Sequence, residues 1–151
     1  MYSTILLQSP AAVVMNSLFP EAGAVISKVL IEDGLTKEIV KVGEGINPKE
    51  GEEVYAHYTG KLTSNGKEFD SSRSRGKPFV FRIGIGQVIS AWDKGIQTMQ
   101  PGERAIITCD AAHGYGGAGA GGVIPPNASL AFDVELISAG AAPESGWCVI
   151  A

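Results

Sequence analysis

A chain of 151 residues, 44% hydrophobic and 19% charged, has enough apolar material for one domain with a real core and is short for more than one. Sixteen acidic residues against twelve basic ones give a net charge of -4, and no cluster of Lys or Arg forms a stripe, which excludes nucleic acid as a natural partner. Two cysteines do not make a disulfide-stapled secreted scaffold, so a reducing, cytoplasmic setting is expected.

Residues 1–33 read as an apolar extension carrying ILL, AAVVM and AVI, interrupted by Pro10 and Pro20. No Lys or Arg precedes Lys28, which argues against a secretory leader, and no apolar run is long enough to span a bilayer. The extension is expected to pack on the domain or stay mobile. The domain itself is expected over residues 34–139, followed by a flexible tail over residues 140–151.

Short strands separated by Gly and Pro follow: Ile39 to Val42, Val54 to Leu62, Phe79 to Ile83, Arg104 to Asp110 and Ser129 to Ile137. In the last of these Leu130, Phe132, Val134 and Leu136 alternate, so one face of the sheet is expected to be buried and the other wet. Asn65-Gly66 reads as a tight turn, because both residues tolerate positive φ. One segment breaks the strand rhythm. In ISAWDKGIQTM, Ile89, Trp92, Ile96 and Met99 recur at helical spacing. Ser90 and Asp93 have capping-box spacing, and Pro101-Gly102 supplies a stop. A short helix closing the concave face of a curved antiparallel sheet is an α+β arrangement.

The stretch GYGGAGAGGVIPP contains Gly114-x-Gly116-x-x-Gly119, the spacing of a dinucleotide-binding loop. That motif requires a helix opening directly after the glycines, and Pro125 and Pro126 forbid one. The loop must serve another purpose.

Seven aromatic residues, Tyr58, Phe69, Phe79, Phe81, Trp92, Tyr115 and Phe132, fall where strand and helix patterns can turn them inward. Core packing and an aromatic-lined pocket for an apolar ligand both account for them. His57 and His113 are too isolated for a metal cluster, so no metal and no cofactor is expected. Ser71, Ser72 and Ser74 have no nucleophile elbow around them. Asp70 reads locally as a loop cap or as a salt-bridge partner of Arg73 or Arg75.

Taken together, AHYTGKL, GKEFDSSRSRGKPFVFRIG, VISAWDKGIQTMQPGERA, GYG and GVIPPNASLAFDVELI, in that order, resemble the FKBP family of peptidyl-prolyl cis/trans isomerases over roughly Gly34 to Ala139. The resemblance implies a curved five-stranded antiparallel half-barrel wrapped around one short helix, with the glycine stretch as a flap over the pocket. It implies rotamase activity without a cofactor, or alternatively a docking module that keeps the pocket without turnover. Its ligands would be proline-containing peptides or proteins and macrolide immunosuppressants such as rapamycin, bound by a monomer. The pocket so implied has Trp92 as floor and Tyr58, Phe79 and Phe132 as walls, completed by Phe69, Asp70, Gln87, Val88, Ile89, Tyr115, Val123 and Ile124. Asp70, held by Tyr58 and Arg75, would act with Tyr115, Trp92 and Phe132 in catalysis. Gln87 stands where the family often has an acid, and Ala120 where its best-known member has an imidazole. The sequence closes on Cys148-Val149-Ile150-Ala151, a C-a-a-X pattern associated with prenylation of the cysteine. One prenyl chain without upstream Lys or Arg would give only weak membrane association.

Overall fold

The computed structural model describes residues 14–15 and 18–140. The expected prenylation site at Cys148 and the tail from residue 141 onward lie outside the described residues. Among those described, no helix is long and apolar enough to cross a membrane.

Apart from a short antiparallel pair, Val14–Met15 with Ala24–Val25, the described residues fold into seven strands: β1 (Ser27–Glu32), β2 (Leu35–Lys41), β3 (Glu53–Leu62), β4 (Glu68–Ser71), β5 (Phe79–Arg82), β6 (Arg104–Cys109) and β7 (Leu130–Ala139). They make one antiparallel sheet in the order β1-β2-β6-β7-β3-β4, and β5 also pairs with β3. Seven segments take part rather than five for two reasons. The same edge of β3 is shared by β4, opposite Thr59–Lys61, and β5, opposite Glu53–Ala56. At the other end β1, from the segment expected as extension, pairs along β2.

Helix α1 (Ser90–Gly95) continues into a single 3-10 turn, Ile96–Thr98, and buries Ala91, Trp92, Gly95 and Ile96 against the concave face of the sheet. The expected capping box does not form. Ile89 is the N-cap and makes no side-chain cap bond. Ser90 and Asp93 find long-range partners instead, Ser90 at His113 and Asp93 at the backbone N–H groups of Gly84 and Gly86. The β3–β4 turn also differs in detail. Only Gly66 has positive φ, at 72°, while Asn65 contributes its side-chain oxygen to the N–H of Lys67.

The inner core gathers Leu130, Phe132, Val134 and Leu136 of β7 with Ala105, Ile107 and Cys109 of β6 under the helix. The outer face is not wet at its centre. Residues 18–22 lie across it, and Phe19 is fully buried against Ile106 and Ala131. Lys61 holds this cover from below, its Nζ donating to Leu18 O and lying 4.7 Å from the Phe19 ring centroid. Apolar residues at outward positions of β6 and β7 therefore have a reason. They receive a segment of the same chain.

Candidate functional site

Gly60 of β3 fixes the mouth of the site. Opposite it in register stand Phe132 and Asp70. A Cβ on Gly60 would sit 2.6 Å from Phe69 and 2.9 Å from Phe132, so only glycine lets those two rings meet over the strand. They do so edge to face, with centroids 5.7 Å apart. Trp92, delivered by the first turn of α1, lies beneath. Tyr58, Phe132 and Phe79 approach it edge to face at 4.7, 5.4 and 5.8 Å, and Phe81 approaches tilted at 5.6 Å.

Above the indole opens a cleft of about 470 Å³ lined by Tyr58, Phe69, Asp70, Phe79, Gln87, Val88, Ile89, Trp92, Tyr115 and Phe132. This is the size and apolar character of a small-ligand site. The Trp92 Nε1–H is buried beneath it with no hydrogen-bond partner among the described residues. Phe81 belongs to the core behind the cleft, stacked on Phe79.

One wall is polar. The Tyr58 hydroxyl donates to Asp70 Oδ2. Asp70 Oδ1 accepts from Arg75 Nη1 at 2.7 Å and from the Ser71 N–H at 2.9 Å, and Arg75 Nη2 donates back to the Tyr58 oxygen at 3.2 Å. Burial pushes the Asp70 carboxyl up, but the hydrogen bonds from Tyr58 and Arg75 and the guanidinium charge outweigh it, so it lies below the usual carboxylate value. Burial, then the bond to Asp70, raises Tyr58 above the usual phenol value. Burial and the Asp70 charge do the same to Tyr115. The cleft therefore presents one carboxylate, already paired, and two neutral phenols. Nothing in it is poised to donate or take a proton at neutral pH.

Ten of the expected residues line the cleft. Three do not. Arg75 stands behind Asp70 as its partner, Val123 is exposed on the flap, and Ile124 is buried in the core. The flap closes on itself through an Ala120–Ile124 bridge, which turns Val123 outward and Ile124 inward. Sequence reasoning considers Ser72 only as a nucleophile and gives it no other role. It is fully buried, and its Oγ accepts from the Tyr58 N–H at 2.8 Å and meets His57 Nδ1 at 2.9 Å. The signal available was a small hydroxyl residue two positions after Asp70.

Residues 44–137, more than half of the chain, match the family model of the FKBP-type peptidyl-prolyl cis-trans isomerase. The chain is 52% identical over 105 residues to "FK506-binding protein 1" of Dictyostelium discoideum, covering 70% of this chain and 97% of the relative. It is 50% identical over 106 residues to the "Peptidyl-prolyl cis-trans isomerase" of Schizosaccharomyces pombe, covering 70% and 94%. Against "FK506-binding protein 1" of Yarrowia lipolytica it is 49% identical over 105 residues, covering 69% and 96%.

Proposed function

The chain belongs to the FKBP-type peptidyl-prolyl cis-trans isomerases, and from that premise we propose that the aromatic cleft over Trp92 is where it rotates the X–Pro bond. The uncatalysed rotation faces a barrier of about 18–20 kcal/mol, because the partial double bond of the amide must be lost. No covalent step is required. At the twisted geometry the amide has lost much of its resonance and its dipole, so a water-poor apolar cleft favours it over the planar ground state. Trp92, Phe79 and Phe132 grip the proline ring, and Phe69 and Val88 close the sides.

The polar groups orient the neighbouring carbonyls. The Tyr115 hydroxyl and the Ile89 backbone N–H take this part in our reading, while Asp70 supplies a fixed negative charge held by Tyr58 and Arg75. Asp70 does not act as an acid, since its carboxyl is held ionised. The observation that carries this reading is the convergence of four rings on Trp92 beside one paired carboxylate. The same cleft takes FK506-class macrolides, a reading supported by the names of two of the relatives. A protease-free isomerisation assay on a proline-containing peptide tests the site. Trp92→Leu is expected to abolish most of kcat/KM and the fluorescence response to a macrolide, and retention of both would reject the cleft.

A further inference from the structure

We propose that His113, which no step above employs, is a positioning residue of this isomerase. It locks the root of the flap carrying Tyr115 and the start of α1 behind Ile89 onto the β1–β2 turn. The proposal rests on the cleft being the site of isomerisation.

His113 is 8% exposed and ends a 3-10 turn, Ala111–His113, at the base of the flap. Its imidazole joins three elements. Nδ1 is 3.0 Å from Ser90 Oγ, on the first residue of α1 and next in sequence to Ile89. Nε2 is 3.0 Å from Asp33 O, in the turn between β1 and β2. Beyond that oxygen lies the Glu32 carboxylate, 3.4 Å from Nε2 and 2.9 Å from Lys94 Nζ on α1. A carbonyl can only accept, so Nε2 carries a proton, and in the neutral imidazole Nδ1 is then bare and accepts from the Ser90 hydroxyl. An imidazole spans this gap with a donor at one end and an acceptor at the other. Asn or Gln reproduces one end only.

A second set of contacts docks the same surfaces. Asp110 N–H donates to Gly34 O at 2.9 Å, and Asp110 Oδ1 accepts from the His113 N–H at 3.3 Å. Gly34 has φ +80°, and a Cβ there would sit 2.2 Å from Asp110 Oδ2, so the close approach of turn and flap root requires glycine. From this base the N–H groups of Gly114 and Gly116 both donate to Ala111 O, at 3.0 and 2.9 Å, which carries the lock forward to Tyr115 between them. The two groups that flank the substrate carbonyls, on Tyr115 and Ile89, come from separate segments, and His113 sets their spacing. Residues 32–34 precede the matched family region, which begins at residue 44. The lock therefore ties the cleft to a part of the chain that the family match does not include.

The test measures kcat/KM and Tm for Ser90→Ala, His113→Phe and their double variant, with Trp92→Leu in the same assay as an independent report on the cleft. Each single variant is expected to lower kcat/KM about fivefold or more, and the double variant no further than the worse single, as for two ends of one contact. His113→Asn, which keeps an acceptor for Ser90 but loses the donor to Asp33 O, is expected to recover only part of the loss. Long-range nitrogen NMR of the unaltered protein should show a bare Nδ1. Ser90→Ala removes one exchangeable group without opening a cavity and carries the test if His113→Phe does not fold. A kcat/KM within about twofold of the unaltered protein in folded Ser90→Ala, with only Tm lowered in the His113 variants, overturns the proposal, and so does a neutral imidazole protonated at Nδ1.

Discussion

The two faces of the sheet are covered unequally: the inner face buries the main core and keeps the aromatic cleft, whereas the outer face buries only a small cluster around Phe19, Ile106 and Ala131. On the inner face the helix meets the sheet through rings that touch edge to face, and rigid rings around Trp92 leave about 470 Å³ that no side chain fills. On the outer face Phe19 drops between Ile106 and Ala131 and closes the surface. The polar groups follow the same division. Outside, Asp133 is 1% exposed and takes Arg104 in a fork, Nε to Oδ1 at 2.9 Å and Nη2 to Oδ2 at 2.6 Å. Arg73 adds its Nη1 to Thr59 Oγ1 and Asp133 O. Inside, the Tyr58, Asp70 and Arg75 groups are linked to one another but remain partly open to solvent at the cleft wall. A polar group saturated by protein holds the fold. One that keeps an open side can meet a ligand.

The largest effect expected from this contrast is on the outer face. Asp133→Ala leaves Arg104 and Arg73 without their shared buried partner, and stability should fall by about 3–5 kcal/mol. Chemical denaturation measures it, and kcat/KM per folded molecule should stay near that of the unaltered protein. A variant of full stability would mean that Asp133 is not the saturated group the geometry describes.

Phe19→Ala removes a fully buried ring, and the expected loss is about 3 kcal/mol, again with activity intact in the folded fraction. Its cost would drop toward zero if residues 18–22 were merely resting on the surface. On the inner face the pattern reverses. Asp70→Val is expected to lower kcat/KM more than tenfold, about 1.4 kcal/mol of transition-state stabilisation, with Tm nearly unchanged because the carboxylate is half exposed. A folded Asp70→Val enzyme with full activity would reduce Asp70 to the loop cap that its local sequence also allows.

The same contrast explains what could be read from the sequence. The inner face was legible, because alternation in β7, helical spacing around Trp92 and the motif residues all act locally or through a single register. The outer cover was not. Ile106 and Ala131 sit at positions that alternation assigns to water, and only the docking of Phe19, far away in sequence, makes them core. Ser90 and Asp93 show the same limit. Their spacing suits a helix cap, but His113 and the Gly84–Gly86 turn offered partners that no local pattern contains. Motif alone assigns Val123 and Ile124 to the cleft, while the flap with its Ala120–Ile124 bridge exposes Val123 and buries Ile124, a packing that no local pattern shows.

The smallest effect, and the one that separates the faces without a mutation, is the pH dependence. Asp70 is lowered in the folded chain, so the stability it contributes is present above the usual carboxylate value and lost only as pH falls through its lower, folded value. Tyr58 and Tyr115 are both raised, so they stay neutral through and beyond the neutral range. Asp70, Tyr58 and Tyr115 each hold one protonation state from about pH 5 to pH 8, so none of these three should slope kcat/KM across that interval. His57, on the outward side of β3, behaves differently. Burial and then the charge of Arg73 lower its imidazole, while Glu135 opposes them weakly. The unfolded chain therefore takes up a proton first as pH falls below about 6.5, and stability declines from there toward the lower folded value. Isothermal denaturation and isomerisation assays over the same pH series should therefore give curves of different shape. A sloping kcat/KM that follows the stability curve in fully folded enzyme would show that His57 reaches the cleft through Ser72 and Tyr58, and the division between the faces would fail at that strand.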